Sequence, residues 1–224
     1  MTESPQAPDR ATQKRGIHRT VAILLVVVAL VIGLQVYKVT REPPLDRDAL
    51  REQGTMVFDQ PRKVSAFELT DHRGETFTPD DLEGQWTLAF FGFTQCPDLC
   101  PMTMADLGRM MEQLDPALAE QTQVLLVTLD PARDTPEVLA EYVPYFHEDF
   151  IGVTGEFLAI KRLASEVNVA FAKVTEDEDD YTIDHSGHIV LFNPKGDYHA
   201  FFKPPLDPDT RSDHYRTIVD AFAF

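Results

Sequence analysis

From Trp86 to Phe93 the chain reads Trp-Thr-Leu-Ala-Phe-Phe-Gly-Phe, and three residues later it places the first of its only two cysteines. A half-exposed strand would alternate polar and apolar side chains. A nearly continuous apolar run is therefore expected to be a strand covered on both faces. The stretch that follows, Phe93-Thr94-Gln95-Cys96-Pro97-Asp98-Leu99-Cys100-Pro101, holds both thiols. A chain that keeps two thiols and sets them four residues apart uses them as a unit. On a helix, residues i and i+4 share a face with Cβ atoms about 5–6 Å apart. Two thiolates at that spacing can hold one soft metal ion or close into a disulfide.

Alternating elements surround this stretch. Phe67–Asp71 and Glu75–Phe77 flank His72-Arg73-Gly74 as a hairpin. After the thiols, Met104, Leu107, Met110, Met111 and Leu114 recur at helical spacing within 102–118. Val124–Leu129 reads as a second buried strand, and Thr135-Pro136 opens a helix to about Phe146. Phe150–Val153 is a short strand, followed by a helix running to about Phe171. His188–Phe192 and Tyr198–Phe202 form a hairpin, and 207–223 closes the chain as a helix. Strands alternating with helices predict a largely parallel central sheet covered on both faces. Two thiols on a strand-to-helix turn of such a sheet predict a thioredoxin-like α/β fold with an added N-terminal β-hairpin.

The N-terminus predicts where this domain sits. Val21–Tyr37 carries no charge, and with its flanks from Thr20 to Val39 it reaches the roughly 20 residues that span a bilayer. Arg10, Lys14, Arg15 and Arg19 outnumber Glu3 and Asp9 before it, which keeps residues 1–19 in the cytoplasm by the positive-inside rule. No small-residue cleavage site follows, so 20–39 reads as one uncleaved transmembrane helix in a bacterial inner membrane. The polar, proline-bearing residues 40–56 read as a linker, and 57–224 as the folded domain in the periplasm. The chain carries a net charge of −17, of which 1–39 contribute +3, leaving −20 for the exported part. Such acidity argues against nucleic acid or anionic lipid as partners. The acidic run Glu176–Asp180 reads as a solvated loop.

Two cysteines alone do not complete most metal sites. Of the seven histidines, His18 precedes the anchor, and His72, His147 and His214 stand in polar contexts expected to be solvated. His188 shares side-chain parity with Val190 on a buried strand and reads as structural. Met102 and Met104 read as core. His185 stands apart. It precedes a strand of the central sheet, where a loop of this fold faces the thiol turn, and it occupies the place of the proline that redox proteins of this fold carry. An imidazole there turns a redox surface into a metal site.

The blocks Phe-Gly-Phe-Thr-Gln-Cys-Pro-Asp-Leu-Cys-Pro (91–101), Val-Thr-Leu-Asp-Pro-Ala-Arg-Asp-Thr-Pro (127–136) and the stretch 176–196 ending His-Ile-Val-Leu-Phe-Asn-Pro-Lys-Gly resemble the Sco (SenC/PrrC) family. The resemblance covers the exported domain from about Phe67 onward. It implies a membrane-anchored copper chaperone for cytochrome c oxidase assembly, with copper as Cu(I) or Cu(II) held by Cys96, Cys100 and His185. It implies Asp130 beside the metal, a position that an Asp before Pro131 equally suits as a turn residue. Asp184, next to His185, reads either as orienting that ring or as facing solvent. The implied partners are the CuA domain of oxidase subunit II, an exported copper donor, and a thiol reductant for a Cys96–Cys100 disulfide. The residues agree: thiolates favour Cu(I), imidazole serves both oxidation states, and three ligands leave a position for exchange. Two other classes stay open, a thiol-disulfide oxidoreductase that reduces the CuA cysteines and a copper or redox sensor. A peroxidase, with one hyper-reactive cysteine, does not fit paired, proline-flanked thiols.

Overall fold

A computed structural model describes residues 10–41, 45–175, 181–205 and 207–222, so the acidic run Glu176–Asp180 lies outside the described residues. The chain divides into two compact units, Met1–Leu45 and Asp46–Phe224. Among the described residues the first holds the helix α1 (Arg10–Arg41), whose described side chains from Val21 to Leu34 are exposed. Over the described residues, no helix is long and apolar enough to cross a membrane.

The second unit starts at Asp46, earlier than the residue 57 expected from composition. Asp46 accepts a hydrogen bond from the Ala49 amide at 3.0 Å and caps α2 (Arg47–Glu52). Leu50 of that helix is buried, and β1 (Thr55–Arg62) follows. The supposed linker thus ends by residue 45. Its polar composition hid an inward-facing apolar side chain, Leu50.

The strands after β1 are β2 (Leu69–Asp71), β3 (Thr76–Phe77), β4 (Trp86–Gly92), β5 (Thr122–Thr128), β6 (Ile151–Thr154), β7 (Phe171–Thr175), β8 (Tyr181–His185), β9 (Ile189–Phe192) and β10 (Tyr198–Phe202). Eight of them form one sheet in the order β1-β10-β9-β4-β5-β6-β2-β3, while β7 and β8 pair separately. Only the β4–β5 and β5–β6 pairs are parallel. Every other pairing is antiparallel, so the sheet is mixed rather than largely parallel. The expected hairpin is present as β2–β3, and it extends the edge of the sheet through β6. All seven residues of β4 are buried, as the apolar run required, and so are all seven of β5.

The helices are α3 (Leu99–Gln113), α4 (Pro116–Ala119), α5 (Pro136–Tyr142), α6 (Phe157–Glu166) and α7 (Pro208–Asp220). The helix expected over 102–118 begins three residues sooner and breaks at Leu114, where Asp115-Pro116 starts the short α4. The helix expected to reach Phe171 stops at Glu166. Asn168 takes a φ of 60°, which ends the helix, and Phe171 opens β7 instead. That turn is the departure with the largest effect on the site, because β7 supports the strand that carries His185.

His199 on β10 sits edge-on to Trp86 and Phe222, with ring centroids 5.5 and 5.4 Å away. It is 9% exposed, and burial holds its pKa down at about 4. The unfolded chain takes up this proton near pH 6.5, so the native state loses stability as pH falls from about 6.5 toward 4 and keeps it above 6.5. At about pH 4.5 that loss amounts to about 2–3 kcal/mol. Thermal unfolding measured at pH 7 and pH 4.5 should show a smaller acid-induced drop in His199→Phe than in the parent. Equal drops would exclude His199 as the titrating group.

Candidate metal centre

Strand β4 delivers the chain to the site, and a turn of six residues separates Gly92 from α3. Cys96 lies in that turn, half-buried, and Cys100 is the second residue of α3 with no exposure. The two thiols therefore do not share a helical face, as spacing alone predicted, because the helix begins between them. They meet through the backbone instead: the Cys100 amide, free at the helix start, donates to the Cys96 sulfur at 3.4 Å. Gly92 makes the close approach possible, since a Cβ there would stand 2.8 Å from Cys100 Sγ and 2.8 Å from Phe90 Cε1.

A buried carboxylate holds the turn. Asp134, fully buried, accepts from the Thr94 amide at 3.1 Å, the Thr94 hydroxyl at 2.6 Å and the Thr128 hydroxyl at 2.5 Å. Burial pushes its carboxyl above the usual range, while the three donors pull it back. Asp134 lies in the block 127–136 but carries no metal-ligand or thiol signature that marks it in the sequence. Its place directly before the cap Thr135, at the mouth of a central strand, is the signal that could have found it.

The third donor comes from the separate β7–β8 pair. His185 ends β8, opposite Phe171, rather than lying in a loop as expected. Ser186 ties this end down, donating its amide to Ala170 O at 2.8 Å and accepting the Ala170 amide at its hydroxyl. Gly187 lets the connection pass tightly against the start of α3, where a Cβ would meet Leu99 Cδ2 at 3.0 Å. The imidazole packs edge-on to Phe90 and Phe93, its Nδ1 donates to Ser186 O at 3.2 Å, and its Nε2 faces Cys100 Sγ at 3.6 Å. That carbonyl fixes the tautomer, leaving the Nε2 lone pair for a ligand. Burial pushes the His185 pKa down, so the ring stays in its neutral, ligating form.

The ligand atoms of Cys96, Cys100 and His185 all lie within 4.8 Å of one another. Burial, more than the neighbouring Cys96, pushes the Cys100 thiol well above its ordinary range. Its proton is therefore held until a cation takes its place, which makes the site a thiol trap for soft metal rather than a standing nucleophile. Two sulfurs and one imidazole suit Cu(I) and other soft ions, and three donors do not close a tetrahedron.

Asp130 and Asp184 take places of their own. The buried Asp130 pairs with Arg133 and accepts from the Tyr181 hydroxyl at 2.8 Å, tying the loop after β5 to the start of β8. The Tyr181 ring is flanked by Arg133, 3.8 Å from its centroid, and by Lys173 at 3.3 Å. Asp130 therefore bears on the strand of His185. Asp184 is exposed; its charge favours protonated His185, and the Ser186 carbonyl does the orienting. Met104 is core and Met102 is 66% exposed. His188 is buried against Phe201, with Nε2 3.5 Å from Val167 O. The solvated setting expected for three histidines is corrected. His214 is buried between Thr55 at 2.7 Å and Gln53 at 3.3 Å, and His72 and His147 are half-buried.

Three comparisons match this architecture. A Stutzerimonas stutzeri protein named for copper binding is 39% identical over 166 residues, covering 74% of this chain and 81% of the relative. Yeast Sco1, solved with copper bound, is 33% identical with a TM-score of 0.67, covering 73% of this chain and 91% of that one. Arabidopsis thaliana ScoI, also solved with copper, is 32% identical with a TM-score of 0.65, covering 70% and 98%. The SCO1/SenC family model matches residues 57–220. Fold, sequence and site thus agree, and the chain belongs to the SCO1/SenC family.

Proposed function

We propose that this chain is a membrane-anchored copper chaperone that binds copper through Cys96, Cys100 and His185 and delivers it to the CuA centre of cytochrome c oxidase subunit II. The convergence of these three donors within 4.8 Å carries the reading. Copper bound in the yeast and Arabidopsis relatives supports the choice of metal. Three ligands hold the cargo and leave a side open, so an incoming ligand of the recipient can bind before the last donor lets go. Cys100 is the ligand seated deepest, while Cys96 and His185 are half-buried and so placed to release or receive first.

In this reading residues 1–19 stay in the cytoplasm, 20–39 anchor the chain in a bacterial inner membrane, and the compact unit works in the periplasm. The support is the uncharged sequence Val21–Tyr37 within α1 and the basic residues ahead of it. Asp130 and Asp184 act around the site, through the β8 strand and through charge. An exported donor supplies copper, and a dithiol reductant supplies two electrons and two protons whenever Cys96 and Cys100 have formed a disulfide. One observation favours thiol-disulfide exchange as a second reading: Cys96 is reachable and its sulfur lies near that of Cys100.

Three measurements test these points. Copper affinity of His185→Ala, measured by competition with a chromophoric chelator, should fall by more than the roughly 10–100-fold that loss of a supporting partner costs. Unchanged affinity would remove His185 from the site. Copper-loaded protein mixed with an apo CuA domain should pass copper to it, seen as the CuA absorption. Reduction of a CuA-domain disulfide with no copper passed would put the exchange reading first. The full chain should stay with membranes through an alkaline carbonate wash, whereas a chain lacking 1–39 should be released. Release of both would overturn the anchor.

A further inference from the structure

Beside the metal centre, and outside it, lies a cleft of about 340 Å³ roofed by the β7–β8 pair. That volume falls in the roughly 300–1,000 Å³ range of small-molecule sites. Ala132 of the loop after β5, Phe157 at the start of α6, and Phe171 and Ile183 of the roof give it apolar walls. Lys161 and Lys173 add two ammonium groups at the same cleft. The one carboxylate among the described lining residues, Asp130, is engaged by Arg133 and Tyr181. In a chain of net charge −17, two ammonium groups against one engaged carboxylate, counted over the described lining, give this apolar hollow a local positive charge. It favours a ligand with the opposite pattern, an apolar body ending in an anion.

The register of the roof ties this cleft to the site. Phe171 pairs with His185 and Lys173 with Ile183, so these four side chains lie on one face of the two-stranded sheet. The roof that covers the cleft thus carries the metal ligand on the same face, and a second, shallower hollow beside Phe171 and Ala172 is lined by His185 itself.

We propose that the cleft beneath the β7–β8 pair is a binding site for a small apolar carboxylate, with the hydrocarbon part against Phe157, Phe171 and Ile183 and the anion at Lys161 and Lys173. The site stands whether or not the metal reading holds, and its occupant presses on the strand that ends in His185.

The test uses the metal-free full chain in detergent with 13C-labelled isoleucine methyl groups, titrated with 3-phenylpropionate. The Ile183 methyl should shift saturably while Ile218 on α7 does not move. The uncharged amide of the same acid should bind at least about fivefold more weakly, and Lys161→Glu should weaken the acid about tenfold. Ala132→Phe, which fills the hollow from an exposed loop, should abolish the Ile183 shift. A shift that does not saturate, or that Ile218 shares, overturns the site. Binding that survives Ala132→Phe places the ligand elsewhere, and equal binding of acid and amide removes the anion from the proposal.

Discussion

The site depends on a buried carboxylate. Asp134 sits at the point where β5 ends, the cysteine turn bends and α5 starts, and it binds the first two directly. Each hydrogen bond to a charged group contributes roughly 1.5–3 kcal/mol net, but only while every partner is in place. Losing one leaves charge or a polar group stranded in a dry interior. The turn that carries Cys96 is therefore held from below by an interaction that does not tolerate partial formation. Above that anchorage the thiols need only short-range help: the amide at the helix start for Cys96, and the gap left by Gly92 for Cys100.

The centre is assembled from two mechanically different pieces. The cysteines hang from the eight-stranded sheet, where every residue of β4 and β5 is buried. His185 hangs from a two-stranded ribbon whose links to the rest include the Asp130–Tyr181 bond and the edge contacts of its own ring. The function proposed above requires the site to hold copper and also to give it up. Placing one ligand on the more loosely joined piece lets the site open at the histidine without disturbing the thiol turn.

How much of this was legible in the sequence follows from the range of each signal. The strands β4 and β5, the thiol pair and His185 declare themselves within windows of ten residues, and each stands where the sequence analysis put it to within a few positions. Elements defined by distant partners do not declare themselves. Phe171–Thr175 continues an amphipathic pattern and becomes strand only because 181–185 lies opposite. Thr55 and Met56 read as the end of a tether, yet they open the strand Thr55–Arg62, whose pairing with Tyr198–Phe202 crosses most of the chain. The same partners turn the outer strands antiparallel, which alternation of strands and helices does not reveal. Asp134 escaped because Thr94, the residue that explains it, lies 40 positions away.

That separation has a consequence in time. Cys100 and His185 are 85 residues apart. At a synthesis rate of roughly 5–20 residues per second, the histidine follows the cysteines by about 4–17 s. Through that interval the growing chain carries an ordinary dithiol, with neither its imidazole nor the ribbon that presents it. The protein is a thiol compound before it is a metal site, and whatever guards those sulfurs during biogenesis must act on a chain that has not yet acquired its third ligand.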